Sequence, residues 1–338
     1  MPGLLSSIQR FDLSTGISED VWAILYANAA RANLILPHAE KVFGRQRFTP
    51  KISSTEQLWL VYLNPRTSEI QFILSLTTGP QAKYPLFIVP TVPIAELTPK
   101  FLKSPMEALC NALLNESGFR KQRVFSAFSV EPVTEAFALA WEKFTGIARI
   151  KEPYYSSIYS TCTKSTLVRQ QRAPRPSEDV ALAPRLASEQ DVEQMTVLCQ
   201  EFAATSPPFV LSTEKSREEA MLLIANKQVW VHEIQKPNRK PEIATIVAVT
   251  RKSKDVAAIT KVYTPEKWRG RGCAERLVRH VCIELLEKYE ELVLYVGVDN
   301  SAKEVYSRVG FQDLRPGSAS ERWLELGFDQ AKVELGHW

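Results

Sequence analysis

The sequence Ile259-Thr-Lys-Val-Tyr-Thr-Pro-Glu-Lys-Trp-Arg-Gly-Arg-Gly-Cys-Ala274 decides how the second half of the chain folds. It predicts a β-strand that ends at Pro265, which has no backbone donor, then a short loop and a helix. Gly270 and Gly272 let the loop backbone fold closely around a bulky group. The first N–H groups of a helix have no helical partner, so such a loop is an anion site, and we expect a pyrophosphate there.

Two arginines in the loop bear on the choice between an anion site and a plain turn. Arg269 and Arg271 carry guanidinium groups, which can pair with phosphate oxygens. An ordinary strand–turn–helix unit with solvated arginines would contain the same residues. The order of the surrounding elements favours the anion site.

Length and composition indicate an ordinary globular chain with two domains. Its 338 residues are too many for one typical core, and 45% hydrophobic with 24% charged residues is a common balance. The net charge is +4, and no Lys/Arg stripe is interleaved with aromatic residues, so we expect no nucleic-acid partner.

Cysteine spacing and hydropathy bear on the cellular compartment in which we expect the protein. Five scattered cysteines without a C-x-x-C pair argue against a disulfide framework or a zinc site, and no metal is expected. The N-terminus lacks the pattern of a signal peptide, and no apolar run approaches the roughly 20 residues that span a bilayer. We therefore expect a cytoplasmic protein without a membrane partner.

Both halves of the chain predict the same order of elements, which indicates an internal duplication. The first half predicts helices at 19–33 and after Pro37, strands at 57–63, 69–76 and 84–89, a helix at 105–116 with Pro105 in its first turn, a strand at 123–129, a helix at 132–144 and a strand at 154–162. The second half predicts helices at 189–203 and 214–226, strands at 228–234, 243–250 and 256–264, a helix at 272–289, a strand at 292–297, a helix at 301–309 and a strand pair from 311 to the low 320s.

The segment 164–184 separates these halves. It is rich in arginine and proline and poor in large apolar residues, as an inter-domain linker is. The predicted organisation is an N-terminal domain at 1–165, a linker at 166–180 and a C-terminal domain at 181–338.

A second motif follows the glycine loop at the distance expected for one known family. Arg269-Gly-Arg-Gly272-Cys-Ala274 resembles the R/Q-x-x-G-x-G/A signature of the GNAT superfamily, the Gcn5-related N-acetyltransferases. Asp299-Asn300-Ser-Ala302 and Tyr306-Ser-Arg-Val-Gly310-Phe311 are similar to that family's N-x-x-A-x-x-x-Y-x-x-x-G-F. The gap before the tyrosine is one residue short, so Asp299 or Asn300 takes the place of the family's asparagine.

The resemblance covers roughly residues 181–328 and looks strongest for fungal members at 262–278. It implies an α/β (α+β) protein with tandem GNAT-like folds, each a mixed, mostly antiparallel sheet flanked by helices. It also implies acetyl-CoA as co-substrate. The implied cofactor-binding residues are Val262, Tyr263 and Thr264 for the pantetheine arm, Arg269, Gly270, Arg271, Gly272, Cys273 and Ala274 for the pyrophosphate, and Asn300.

The implied chemistry is direct attack of an amine on the thioester. In the family, a tyrosine at the position of Tyr306 protonates the departing thiolate, a role that suits a phenol at neutral pH. A buried aromatic residue on an amphipathic helix is the alternative. The strand at 256–264 has no carboxylate, so Glu233 and His232 on an earlier strand are the candidate bases, with an edge or surface role as the alternative for each. We assign Glu275 to the polar face of its helix.

The N-terminal half lacks the glycines of the loop. No glycine occurs between Gly79 and Gly118, and prolines stand in their place. A stretch with fewer donors and no glycine cannot form the same cradle. We therefore predict a GNAT-like domain without a cofactor site, which covers the catalytic domain or shapes the amine pocket.

The sequence supports three functions. The first is an acetyl-CoA-dependent N-acetyltransferase that acts on a small-molecule primary amine. The second is a protein acetyltransferase that acts on a lysine or an N-terminus. The third is a CoA-binding sensor or scaffold without catalysis. This alternative stays open because the strand at 256–264 has no carboxylate that could act as a base. The sequence leaves the oligomeric state open.

Overall fold

The computed structural model describes residues 7–44, 56–79, 82–170 and 179–336. They divide into two compact units. Unit 1 consists of the chain up to Ser157 together with the chain from Arg322 onward, and unit 2 is Ile158–Glu321. Among the described residues, no helix combines the length and apolar character needed to cross a membrane.

The helices and strands follow the predicted order in both halves. The N-terminal half contains β1 (Ile8–Phe11), α1 (Glu19–Ala27), α2 (Leu36–Phe43), β2 (Gln57–Leu63), β3 (Ile70–Thr77), β4 (Leu86–Pro90), α3 (Pro99–Leu114), β5 (Ser126–Val130), α4 (Glu131–Thr145) and β6 (Tyr155–Thr163). The C-terminal half contains β7 (Val180–Ala181), β8 (Arg185–Leu186), α5 (Val192–Ala203), α6 (Thr213–Ala225), β9 (Val229–Gln235), β10 (Glu242–Lys252), β11 (Val256–Tyr263), α7 (Cys273–Leu285), β12 (Glu291–Gly297), α8 (Ala302–Val309) and β13 (Glu321–Gly327).

Two local predictions were wrong. Helix α3 begins at Pro99 because the Thr98 hydroxyl caps it by accepting the Phe101 N–H at 3.3 Å, and Pro105 lies inside the helix. The predicted strand pair after residue 311 is the single strand β13, because the intervening described residues form turns.

Each unit has a mixed sheet flanked by helices, as predicted. In unit 1 the strand order is β1-β2-β3-β4-β5-β13, antiparallel except for the parallel pair β4–β5. In unit 2 the order is β6-β12-β11-β10-β9-β7, with β8 also paired to β9. The pair β11–β12 is parallel, whereas β9, β10 and β11 are antiparallel.

The units differ from the predicted domains 1–165 and 181–338, because each half contributes its last strand to the other unit. Strand β13 pairs with β5 in unit 1, from Trp323 opposite Val130 to Gly327 opposite Ser126. Most of strand β6 lies in unit 2, beside β12.

The predicted linker 166–180 also begins inside unit 2. Leu167 is buried in its hydrophobic core, and the Val168 N–H donates to the Val309 carbonyl at 2.9 Å. Residues 171–178 of that linker lie outside the described residues.

Two hydrophobic clusters cover the two faces of the unit 2 sheet. Val247 packs with Leu277 of α7 and with residues of α8. The neighbouring Ile246 packs with Met195 of α5 and with residues of α6. Adjacent strand residues point to opposite faces, so α7 and α8 cover one face and α5 and α6 cover the other.

Candidate functional site

Strands β11 and β12 separate about halfway along their length. Their parallel register ends with Ile259 opposite Leu294. Strand β11 nevertheless continues to Tyr263, and β12 continues to Gly297. The backbone of β11 beyond Ile259 therefore faces a gap in the sheet.

The ladder between β10 and β11 is irregular where the gap opens. Thr260 of β11 has no partner between the pairs Ala248–Lys261 and Val249–Ile259, and Thr250 of β10 has none before Arg251 lies opposite Ala258, so the two extra residues restore the register. The Thr260 hydroxyl donates to the Ala248 carbonyl at 3.3 Å and accepts from the Thr250 hydroxyl at 3.0 Å. We call this irregularity the Thr260 bulge; bulges bend a strand and increase its local twist, and this one lies at the position where β11 and β12 cease to pair.

The loop after β11 has the backbone that the glycines predicted. Gly270 and Gly272 both have φ +72°, a left-handed conformation that favours glycine. The first bond of α7 runs from the Arg276 N–H to the Gly272 carbonyl at 3.1 Å. The N–H groups of Cys273 and Ala274 therefore lie at the open end of the helix, where an anion can bind them.

The two loop arginines have local partners. The Arg269 Nε donates to the Thr264 carbonyl at 3.1 Å, across the loop. Arg271 forms an ion pair with Asp179 at 2.6 Å, and its guanidinium lies 5.0 Å from the centre of the buried Trp268 ring. These contacts hold the loop in shape, and the two guanidinium groups add positive charge to it.

A buried histidine lies beneath the loop. His232 of β9 is 1% exposed, and its Nε2 accepts from the Arg276 Nε at 3.4 Å. Burial and the charge of Arg276 lower the pKa of His232 to about 4, so the ring is neutral at neutral pH. Since its Nε2 lone pair already accepts from Arg276, His232 is better suited to holding Arg276 under the loop than to acting as a base.

Glu233, one of the two candidate bases, does not lie at the gap between β11 and β12. Glu233 also lies on β9, and strand β10 separates it from β11. Its carboxylate accepts from the Arg185 Nε at 2.9 Å, and Arg185 also pairs with Asp191 at 2.7 Å. This arrangement ties β8, β9 and the start of α5 together.

Two of the predicted residues lie on helix α8 or just before it. Tyr306 is 8% exposed and belongs to the same hydrophobic cluster as Ile259, where the gap opens. Its ring contacts Phe311 edge to face, with 6.0 Å between ring centres. Asn300 precedes the helix, and its side chain accepts the Ala302 N–H at 2.9 Å, as in an Asx turn.

The assignment of Glu275 to a polar helix face was wrong. Its carboxylate is buried between the Arg279 Nη2 at 3.0 Å and the Arg308 Nε at 2.7 Å. Burial alone would raise the pKa of Glu275, but the bonds from Arg308 and Arg279 outweigh it and lower the pKa. The Arg279 Nε also donates to the Val168 carbonyl at 2.8 Å. This network joins the first turn of α7 to α8.

A second ion pair that the sequence analysis missed lies on the opposite face of β11. Lys261 is 9% exposed, and its ammonium contacts both carboxylate oxygens of Glu219 of α6 at 2.7 Å. The ammonium also lies 4.7 Å from the centre of the Phe202 ring of α5. The isolated lysine in an apolar strand was visible in the sequence, but its partner was not.

Unit 1 has a related strand pair with different chemistry. The parallel register of β4 and β5 ends at Phe87 opposite Phe128. Beyond it, the Ser129 hydroxyl donates to the Ile88 carbonyl at 2.6 Å. The Thr98 hydroxyl caps the helix that follows β4. Side chains of unit 1 thus bond to backbone groups at positions where unit 2 offers open backbone.

The cysteines of the chain lie in its described part, as do most of the other residue types that bind metals. All five cysteines are buried and free. Among the residues that the structure describes, no group of three or more His, Cys, Asp or Glu side chains is arranged to hold a metal ion.

The comparisons with known proteins agree with this geometry. Residues 240–324 match the family model described as FR47-like protein. A solved structure of a GCN5-related N-acetyltransferase from Sphaerobacter thermophilus aligns over 96% of this chain and 96% of its own, at 14% identity and a TM-score of 0.51. A solved Drosophila protein aligns over 95% of this chain and 99% of its own, at 12% identity and a TM-score of 0.59. No curated protein matches the chain significantly.

These findings confirm the predicted resemblance to the GNAT superfamily and the predicted fold class. The family match includes β11, the glycine loop, α7 and α8, so it covers the motifs from which the resemblance was inferred.

Proposed function

We propose that unit 2 transfers the acetyl group of acetyl-CoA to the primary amine of a small molecule. One observation carries the proposal: β11 leaves β12 at the Thr260 bulge and leads directly into the loop with Gly270 and Gly272. The gap offers unpaired strand backbone, and the loop offers unpaired N–H groups beside it. These two features suit the extended amide arm and the pyrophosphate of one ligand.

Each part of the site has a role in this proposal. The backbone of Val262, Tyr263 and Thr264 pairs with the pantetheine arm. The N–H groups of the loop bind the pyrophosphate, and the half-buried Arg276 adds positive charge beside them. Bound acetyl-CoA supplies an activated thioester. Tyr306 then donates its phenolic proton to the departing sulfur.

The amine attacks the thioester carbon directly, so no acyl-enzyme intermediate forms. The C–N bond forms as the C–S bond breaks. The acceptor nitrogen loses its proton to water, because β11 has no carboxylate, and Tyr306 regains a proton from water. The reaction needs no metal or redox step. This chemistry is consistent with the buried, free state of Cys273, whose thiol has its pKa raised by burial.

The test is a thiol-release assay with the full chain, acetyl-CoA, and a panel of small primary amines and short peptides. We expect thiol release and N-acetylation with small amines. Turnover on peptides alone would favour a protein acetyltransferase. CoA binding without turnover on any acceptor would contradict the proposal and favour a sensor.

A further inference from the structure

The Lys261–Glu219 pair lies beside the gap between β11 and β12, on the face of the sheet that α5 and α6 cover. Lys261 directly follows the Thr260 bulge, so it is at the point where β11 leaves β12. Its side chain runs to the α5/α6 face and ends at Glu219. The phosphate loop and Tyr306 belong to elements on the other side of the sheet, α7 and α8. The two faces of the gap thus differ in chemistry.

Packing alone does not explain this pair. A lysine that is 9% exposed and a glutamate whose side chain is 19% exposed have both lost most of their water. Replacing a buried ion pair by apolar residues of similar volume is often neutral or stabilising, so such a pair is weak evidence for a role in stability. A methionine at position 261 would pack against Phe202 at lower cost in desolvation. The pair is better suited to recognition than to stabilising the fold.

The surroundings of the pair suit a primary ammonium group. The Lys261 ammonium already lies between a carboxylate and the Phe202 ring, at 2.7 Å and 4.7 Å. Tyr263, two residues further along β11, contacts Phe202 edge to face with 6.3 Å between ring centres. A carboxylate flanked by aromatic rings attracts organic cations through charge and cation–π interactions. The Cys199 thiol also hydrogen-bonds to the Glu219 carboxylate. A carboxylate has about four acceptor positions, so one remains for an ammonium N–H after Lys261 and Cys199 are counted.

We propose that Glu219, positioned by Lys261, binds the protonated amino group of an aromatic primary amine beside Phe202 and Tyr263. The inference rests on the proposed function, because it names the acceptor of the same site. Lys261 is a positioning residue: it orients the Glu219 carboxylate and balances its charge before the acceptor arrives. Phe202 and Tyr263 contact the aromatic part of the acceptor.

The test measures acceptor binding without turnover. Tyramine is titrated by calorimetry into the full chain saturated with CoA. We expect Glu219→Gln to weaken tyramine binding about 10-fold or more, since it removes one partner of a desolvated charge pair. Glu218→Gln is the matched control, because Glu218 is the exposed neighbour that pairs with Lys215 on the helix surface. It is expected to leave tyramine binding unchanged.

Two further measurements keep the test decisive. 4-Ethylphenol, which lacks the amino group, is expected to bind weakly and equally to the native chain and to Glu219→Gln. Since Glu219→Gln leaves Lys261 buried without an anion, the double variant Glu219→Gln/Lys261→Met removes both charges and is expected to lose tyramine binding while staying folded.

Undiminished tyramine binding by either variant, or no binding by the native chain, overturns the inference. A native chain that binds tyramine through Glu219 but releases no thiol contradicts the proposed function alone.

Discussion

Replacing Glu275 by glutamine is expected to destabilise unit 2 by about 3 kcal/mol. The Glu275 side chain is 11% exposed and pairs with Arg279 at 3.0 Å and with Arg308 at 2.7 Å. An amide of the same shape removes the anion and leaves the 5%-exposed Arg279 guanidinium without its counter-charge. Breaking a buried pair in this way costs about 3–5 kcal/mol, and the partial exposure of Arg308 favours the lower end.

Thermal unfolding of the full chain measures this cost. For a unit of this size, 1 kcal/mol corresponds to about 2–4 °C, so Tm should fall by about 6–12 °C. Glu304→Gln is the matched control, since Glu304 lies 3.8 Å from the same Arg308 but its side chain is 81% exposed. Its effect should stay below about 0.5 kcal/mol.

The effect of Glu275→Gln should also depend on pH. In the folded chain the pKa of Glu275 lies below its ordinary value of 4.5. A lowered carboxyl pKa contributes stability above the unfolded pKa, and the contribution is lost as pH falls through the folded pKa. The Tm difference should therefore be complete at neutral pH and shrink below pH 4.5. Equal Tm values for the native chain and Glu275→Gln at neutral pH, or an equal loss in Glu304→Gln, would show that the buried pair does not stabilise unit 2.

Three other variants test the close contact at the end of α8, its control and the role of the tyrosine in α8. Gly310→Ala should destabilise the chain by about 2–4 kcal/mol, because its Cβ would lie 2.3 Å from the Thr166 carbonyl oxygen at φ +125°. Gly317→Ala, at φ +83° with open space around it, should cost about 1 kcal/mol, and equal losses in thermal unfolding would contradict this reading. Tyr306→Phe should lower kcat about 100-fold at unchanged acetyl-CoA affinity, and an unaltered kcat would remove Tyr306 as the acid.

The loop could be predicted from sequence because its signals are local. Pro265 ends a strand, and two glycines adopt positive φ within three residues of each other. The apolar residues of α7 recur at helical spacing, so its buried face could also be predicted, for example at Leu277, Val281 and Leu285. These features depend on neighbours a few residues away.

The missed features depend on distant partners. Glu275 occupies a position that helical periodicity assigns to solvent, but Arg308, 33 residues away, covers it. Lys261 meets Glu219 across 42 residues. The exchange of β6 and β13 between the units likewise depends on which strands pair. The sequence of an apolar strand shows which side chains share a face of the sheet, but it does not show which strand lies beside it.

This exchange also decides how the absence of a cofactor site in unit 1 should be tested. A fragment of residues 1–165 would lack β13, which pairs with β5, so the full chain is needed. Unit 1 contains side chains such as Thr98 and Ser129 that bond to the backbone where unit 2 is open. We therefore predict one acetyl-CoA per chain.

Calorimetric titration of acetyl-CoA into the full chain measures whether the glycine loop of unit 2 binds the cofactor. We predict one molecule bound per chain, and a loss of affinity of about 100-fold in Gly272→Glu. A carboxylate about 5 Å from a phosphate charge costs about 3 kcal/mol at an effective dielectric of 20. Gly272→Gln separates this repulsion from the strain at φ +72°. Two molecules per chain, or affinity unchanged in Gly272→Glu, would contradict the account.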